Sequence, residues 1–276
     1  MFNVERLKTL VSNTYNNISA QDTASPLGGS EGGSRGSGGS DFLIITPVKD
    51  SIESTEQTLR ALAASEMSVP HRFVVWNDRS TPENTVRLEA LCSELDFHLV
   101  NIAEMTDTPS PNYLFVLRQC QRQCLESGET LCIVESDVIV QPSTLQHLWS
   151  VAQEHTDAGI VAAVTVDDSG NINYPYAFAR KLPTGVNITR RHCSFCCSLL
   201  TPELLRRYDF SLLNPEKNWF DVTISHESLA SGLQNILCTH LPVVHRPHQS
   251  RPWKQLKYKN PLLYYWRKFT KGFDKI

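Results

Sequence analysis

The stretch TLCIVESDVIVQPSTL, Thr130 to Leu145, sets the architecture of this chain. Leu131 to Val134 is an apolar run of strand length, and it delivers two carboxylates, Glu135 and Asp137, one residue apart. A second apolar triplet follows, then Pro142 and a helical pattern with Ser143 as the expected cap. A buried strand that ends in acids and runs into a helix is the repeating half of an α/β sheet. In such sheets ligands gather at the carboxyl ends of strands. Carboxylates beside a core are costly unless something positive meets them, so Glu135 and Asp137 need a partner.

The pattern repeats on both sides. DFLIITPV from Asp41 and HRFVVWND from His71 read as strands, and so do FHLVNI from Phe97 and AGIVAAVTV from Ala158. Helices are expected over 54–65, with Leu59 and Leu62 inward, and over 82–94, 113–127 and 142–155. Strand–helix alternation of this kind predicts a doubly wound, mainly parallel α/β sheet in one domain spanning 41–250. Three acidic or polar clusters fall at strand ends: Lys49 with Asp50, Asn77 with Asp78, and Glu135, Ser136 and Asp137.

Residues 28–40, GGSEGGSRGSGGS, hold seven of the thirteen glycines and nothing to bury. They read as a flexible linker of engineered regularity, reaching roughly 20 Å. It tethers residues 1–27, in which Val4, Leu7, Leu10, Val11, Tyr15 and Ile18 recur at helical spacing. An amphipathic helix this short is marginal alone, so it is expected to dock on the domain or to represent a protein partner or acceptor peptide.

The net charge of −3 hides an asymmetry. From Arg246 to Ile276 nine Lys/Arg face one acid, Asp274, a surplus of eight that leaves about −11 for the remainder. An acidic body argues against nucleic acid as a partner. The tail 251–276 mixes seven aromatics with its cations, a composition suited to an anionic membrane surface. No apolar run reaches membrane-spanning length. The eight cysteines read as reduced thiols of a cytoplasmic protein, peripheral on a membrane if the tail binds one. HCSFCC, from His192, has one Cys-x-x-Cys pair and no second pair to complete a zinc finger.

Neither G-x-G-x-x-G nor G-x-x-x-x-G-K-[ST] occurs in the domain, which disfavours a Rossmann dehydrogenase and a P-loop enzyme. Without such a cradle, bound phosphates need a divalent cation held on carboxylate oxygen, a task suited to Asp137 and Glu135.

Five segments in order carry a resemblance. FLIITPVKD, FVVWNDRSTPENT, LCIVESDVIVQPSTLQHL, WFDVTISHESLASGLQNIL and LPVVHRP resemble successive motifs of the family 2 inverting glycosyltransferases, from about Phe42 to Pro247. The resemblance implies a GT-A fold, a Rossmann-like mixed and mostly parallel sheet flanked by helices. It also implies a nucleotide-sugar donor, with a UDP-sugar favoured, and a glycan, lipid-linked or protein acceptor such as a growing polysaccharide. Asp137 matches the last acid of the family's D-x-D and, with His245, would hold Mn2+ or Mg2+. Pro47, Asp50, Asn77, Asp78, Glu135 and Ser136 fall on donor-binding positions. Asp221 matches the catalytic base, although Phe220 stands where the family has a further acid. Glu135 in place of Asp, Val138 and Phe220 keep open a non-catalytic, glycosyltransferase-like module within a protein complex. A nucleotidyltransferase is the third alternative, but TPVKDSIES lacks the glycines of its nucleotide loop.

Overall fold

The computed structural model describes residues 41–216 and 219–246, with 260, 262, 263, 265, 266 and 270 of the tail. The expected segment 1–27 and linker 28–40 lie outside the described residues, as does most of 251–276.

Among the described residues nine strands form one sheet in the order β3-β2-β1-β4-β8-β6-β9-β5, with β7 also paired to β9. They are β1 (Phe42–Val48), β2 (His71–Asn77), β3 (His98–Asn101), β4 (Thr130–Val134), β5 (Val138–Ile139), β6 (Ala158–Val166), β7 (Val186–Thr189), β8 (Cys197–Leu200) and β9 (Gln234–His245). Six helices connect them: α1 (Ile52–Ala63), α2 (Pro82–Leu95), α3 (Tyr113–Ser127), α4 (Thr144–Glu154), α5 (Pro202–Arg207) and α6 (Phe220–Ala230). β3, β2, β1 and β4 run parallel. β8 then pairs antiparallel with both β4 and β6, while β6 and β9 are parallel. The mixed α/β sheet expected from the sequence is the fold observed.

Alternation along the strands builds two cores. Phe42, Ile44, Cys132 and Val134 pack on one face with Leu59 and Leu62 of α1, Leu88 of α2 and Leu148 of α4. Leu43, Ile45, Leu131 and Ile133 pack on the other with Leu117 and Cys120 of α3, Leu204 of α5 and Ile224 of α6. A period of two that is apolar on both faces is what a central, doubly covered strand requires.

The sequence expectations shift at element ends. The first helix begins at Ile52, not 54, after Asp50 and Ser51 take left-handed φ of 52°. Ser143 occupies the cap position of α4 without a side-chain capping bond. Instead Thr144 Oγ1 accepts from Gln141 N at 3.1 Å. β4 stops at Val134, because Val138 N donates to Glu135 O to form a turn. The chain then re-enters the sheet as β5, antiparallel to the end of β9.

Two devices fix the frame. At the amino ends of β2 and β4, Arg72 grips Glu129 through Nε–Oε1 at 2.6 Å and Nη2–Oε2 at 2.5 Å, and the Glu129 side chain is 2% exposed. Behind the sheet, α6 lies so close to β6 that a Cβ on Gly159 would sit 2.1 Å from Ser228 Oγ. Only hydrogen fits there, so Gly159 sets the distance of α6 from the sheet.

Candidate functional site

β1 pairs with β4 only over Phe42–Ile45, whereas its ladder to β2 continues to Val48. Pro47 lies beyond the point where β4 has left, so its missing N–H breaks no ladder bond on that side. The chain turns from β1 towards β2 and β3, then returns to β1's other edge with β4. A crevice therefore opens at the carboxyl ends of β1 and β4, the switch point where such sheets bind ligands.

One wall is built from the tips of β1 and β2. Asp50 Oδ1 accepts from Thr81 N at 2.8 Å and Asn84 Nδ2 at 3.1 Å, while Asp50 N donates to Ser80 Oγ at 2.8 Å. Lys49 Nζ donates to Arg79 O, and Arg79 also has a left-handed φ, 54°. Left-handed non-glycine residues cost about 1–2 kcal/mol each, and such strain collects at functional rims. Asn77 is consumed by structure: it donates to Asn101 and Thr85 and accepts from Ser80 N. Asp78 anchors the loop before α3. Its Oδ2 accepts from Ser110 Oγ at 2.7 Å and Asn112 N at 2.8 Å, and its Oδ1 accepts from Asn112 Nδ2 at 2.7 Å. Ser110 and Asn112 were not legible as site residues, since nothing local marks them as partners of an aspartate on another strand.

The other wall joins the turn after β4 to the end of β9. Val138 pairs with His245, and Arg246 N donates to Asp137 O at 3.0 Å. These bonds bring Asp137 Oδ2 to 3.6 Å from His245 Nε2, with both side chains 7% exposed. His245 Nδ1 faces the carbonyl of Tyr174 at 3.1 Å, so Nδ1 carries a hydrogen and Nε2 faces the crevice. Burial alone would lower the imidazole's pKa; the hydrogen bond and charge of Asp137, with Glu135 behind it, outweigh burial and raise it. Ser136 is buried between the two acids in sequence.

Cys196 is the member that sequence reasoning missed. The β4–β8 ladder pairs Val134 with Cys197, and the next bond runs from Glu135 N to Cys196 O at 3.0 Å. The Cys196 thiol thereby reaches Glu135 Oε2 at 3.5 Å and His245 Nε2 at 3.9 Å. Glu135, Cys196 and His245 present ligand atoms all within 4.8 Å of one another. The three cysteines of HCSFCC diverge: Cys193 Sγ faces Ile236 O, Cys196 enters the site, and Cys197 meets Cys132 in the core.

The segment before β8 is held from two sides. Fully buried Tyr176 Oη accepts from Ser194 N at 2.7 Å, and Ser225 Oγ of α6 accepts from Cys193 N at 2.9 Å. Asp221 lies in the first turn of α6, after a cap position filled by Trp219. Burial pushes the Cys196 thiol well up, and the charges of Glu135, Asp137 and Asp221 push the same way. Phe220 is core, packed with Tyr113 at a ring separation of 6.3 Å. His226 of α6 is exposed.

The donor set suits a divalent cation. Asp137 and Glu135 offer oxygen, and His245 offers a nitrogen whose ring is oriented by a backbone carbonyl, as metal-ligating histidines are.

No family model matches the sequence, and no curated protein matches it. Solved structures do match the fold. The mannosyltransferase PcManGT from Pyrobaculum calidifontis, in complex with GDP-Man and Mn2+, superposes with a TM-score of 0.60 at 15% identity, covering 84% of this chain and 64% of that one. S. aureus TarS 1-349 in complex with UDP-GlcNAc gives 0.54 at 17% identity, covering 76% and 60%. A longer TarS structure gives 0.55 at 16% identity, covering 79% and 38%. The chain thus spans less than two thirds of the length of these structures, and the likeness at such identities establishes the fold. Among the described residues no helix is long and apolar enough to cross a membrane.

Proposed function

We propose that this chain is a cation-dependent glycosyltransferase that moves a sugar, with inversion, from a nucleotide-sugar donor to a hydroxyl of a glycan, lipid-linked or protein acceptor. The observation that carries this reading is the meeting of Asp137 and His245, 3.6 Å apart at the switch-point crevice. Support comes also from the fold, shared with structures holding GDP-Man and Mn2+ or UDP-GlcNAc.

Asp137 and His245 would hold the cation, which when bound neutralises the donor diphosphate. Asp78 Oδ1 accepts from Asn112 Nδ2 and, as a carboxylate oxygen with two lone pairs, can take a second donor from the nucleoside. Asp50 and Pro47 frame the same wall, while Asn77 holds the loop in shape. Asp221 accepts the acceptor hydroxyl's proton as that oxygen attacks the anomeric carbon and the diphosphate departs with the bonding pair. The first turn of a helix is a position where such a negative charge is favoured. The aromatic, basic tail, in which Leu262, Tyr265 and Trp266 are exposed, would hold the enzyme at an anionic membrane where a lipid-linked acceptor resides.

The test is donor hydrolysis and transfer across UDP-, GDP- and dTDP-sugars with Mn2+, comparing the wild type with Asp221→Asn. Turnover that requires the cation and falls by about 10²–10⁴-fold in the variant is the expected result. Full activity in Asp221→Asn removes the base assignment. Donor binding without turnover across the panel would instead favour the non-catalytic module.

A further inference from the structure

The sulfur of Cys196 has no place in a site built only for a hard, oxygen-loving cation. It is buried, it faces Glu135 Oε2 at 3.5 Å and His245 Nε2 at 3.9 Å, and its own segment is tied down by Tyr176 and Ser225. We propose that Cys196, His245 and Glu135 form a sulfur–nitrogen–oxygen site for a thiophilic divalent cation, Zn2+ or Co2+, that discriminates against Mg2+. This deepens the function proposed above by naming the class of cation, and it rests on that reading only for the cation's use.

Geometry supports the assignment. Metal–sulfur bonds of about 2.3 Å and metal–nitrogen or metal–oxygen bonds of about 2.0–2.2 Å, set at tetrahedral angles, put ligand atoms roughly 3.3–3.6 Å apart. The two sulfur edges fall at that spacing or a few tenths of an ångström beyond it, and the three ligand atoms all lie within 4.8 Å of one another. Each ligand is also backed by the fold. The Tyr174 carbonyl takes the Nδ1 hydrogen and leaves Nε2 to face the sulfur. The Glu135 N to Cys196 O bond holds the carboxylate and thiol side by side, just beyond the ends of β4 and β8. Asp137 Oδ2, 3.6 Å from the same Nε2, or an oxygen of the donor diphosphate, takes the fourth place.

The chemistry separates cations. Thiolate and imidazole prefer zinc and its neighbours, whereas Mg2+ demands oxygen ligands in octahedral array and loses water reluctantly. On binding, the metal–sulfur bond replaces the S–H bond and the thiol proton passes to solvent. A nitrogen–metal bond likewise takes the place of any proton on Nε2. Occupancy therefore rises with pH and releases acid.

The decisive experiment adds Co2+ alone to the chelator-treated full chain at neutral pH, with no nucleotide present. One equivalent is expected to raise a near-ultraviolet thiolate-to-cobalt charge-transfer band. Zn2+ should bleach it stoichiometrically, and a roughly thousandfold excess of Mg2+ should leave it intact. In Cys196→Ser the band disappears and Zn2+ affinity falls by at least about 100-fold, beyond the 10–100-fold cost of losing an outer-shell partner. Cys193→Ser, a neighbouring thiol outside the cluster, keeps the band. A silent cobalt spectrum in the folded wild type overturns the proposal, as does a band that survives in Cys196→Ser or yields to comparable Mg2+. Should Cys196→Ser fail to fold, the wild-type spectrum and its loss in His245→Asn decide the matter. Because no donor is used, a silent spectrum leaves Mn2+-dependent donor turnover as a separate question.

Discussion

Asp137 Oδ2 and His245 Nε2 lie 3.6 Å apart, although one follows β4 and the other ends β9. Their pairing makes Asp137→Ala and Asp221→Asn separable. Asp137→Ala should lose both transfer and Mn2+-dependent nucleotide binding, whereas Asp221→Asn should lose transfer and keep binding. Calorimetric titration of nucleotide with and without Mn2+ reads the difference, and equal binding by both variants would refute the division of labour.

Glu129→Gln strands Arg72 at the edge of the core. Removing one partner of a buried, bidentate pair costs about 3 kcal/mol, and the partial exposure of Arg72 places this case at the lower end. For a domain of this size the melting temperature should drop by roughly 6–12 °C. Replacing both members, as Arg72→Met with Glu129→Leu, should recover most of the loss, because no charge is then left buried alone.

Gly159→Ala pushes α6 away from β6. The new Cβ meets Ser228 Oγ at 2.1 Å and Leu233 Cβ at 3.1 Å, an overpacking worth about 1–3 kcal/mol. Since α6 carries Asp221, kcat should fall more than KM rises, as misplacement by about 1 Å can cost 10²-fold. Ser228→Ala in the same chain removes the nearer clash and should restore part of both. Unchanged stability in Gly159→Ala would show that the helix has room to move.

The thiols give the fold an alkaline limit. Burial pushes Cys92 and Cys238 up to about 12 from an ordinary value near 9, and Cys120, Cys124, Cys193, Cys196 and Cys197 also move upward. A raised folded pKa gives stability that is whole below the unfolded value and is lost as pH climbs towards the folded one. Cys92 and Cys238 together set a slope of up to about 2.7 kcal/mol per pH unit between 9 and 12. Thermal melts in reductant should hold steady to about pH 8 and fall steeply above pH 9. The fall should be shallower in the Cys92→Ala, Cys238→Ala double variant.

Much of the domain was legible because its signals are local. The apolar run Leu131–Val134, the helix pattern of 113–127 and the acids at strand ends each lie within one window of sequence. The early start of α1 was hidden because two non-glycine residues, Asp50 and Ser51, adopt the left-handed backbone that starts it. Cys196 was hidden for a different reason. Its neighbours Glu135 and His245 come from strands whose register with β8 and β5 no single-sequence periodicity encodes. The same holds for Asp78, whose bonds to Ser110 and Asn112 span α2, β3 and their loops. Local chemistry announces which groups are present, but long-range pairing decides which of them meet.

The two-residue strand β5 gives the molecule an order of maturation. The half-sheet β3-β2-β1-β4 joins strands close in the chain and can assemble while synthesis continues. Asp137 is complete by then, yet it waits for His245, which arrives at the end of the last described strand. Closing so long a loop is entropically late, so a nascent or half-folded chain holds Asp137 without its imidazole partner. The meeting of Asp137 with His245 then becomes a report that the sheet has closed.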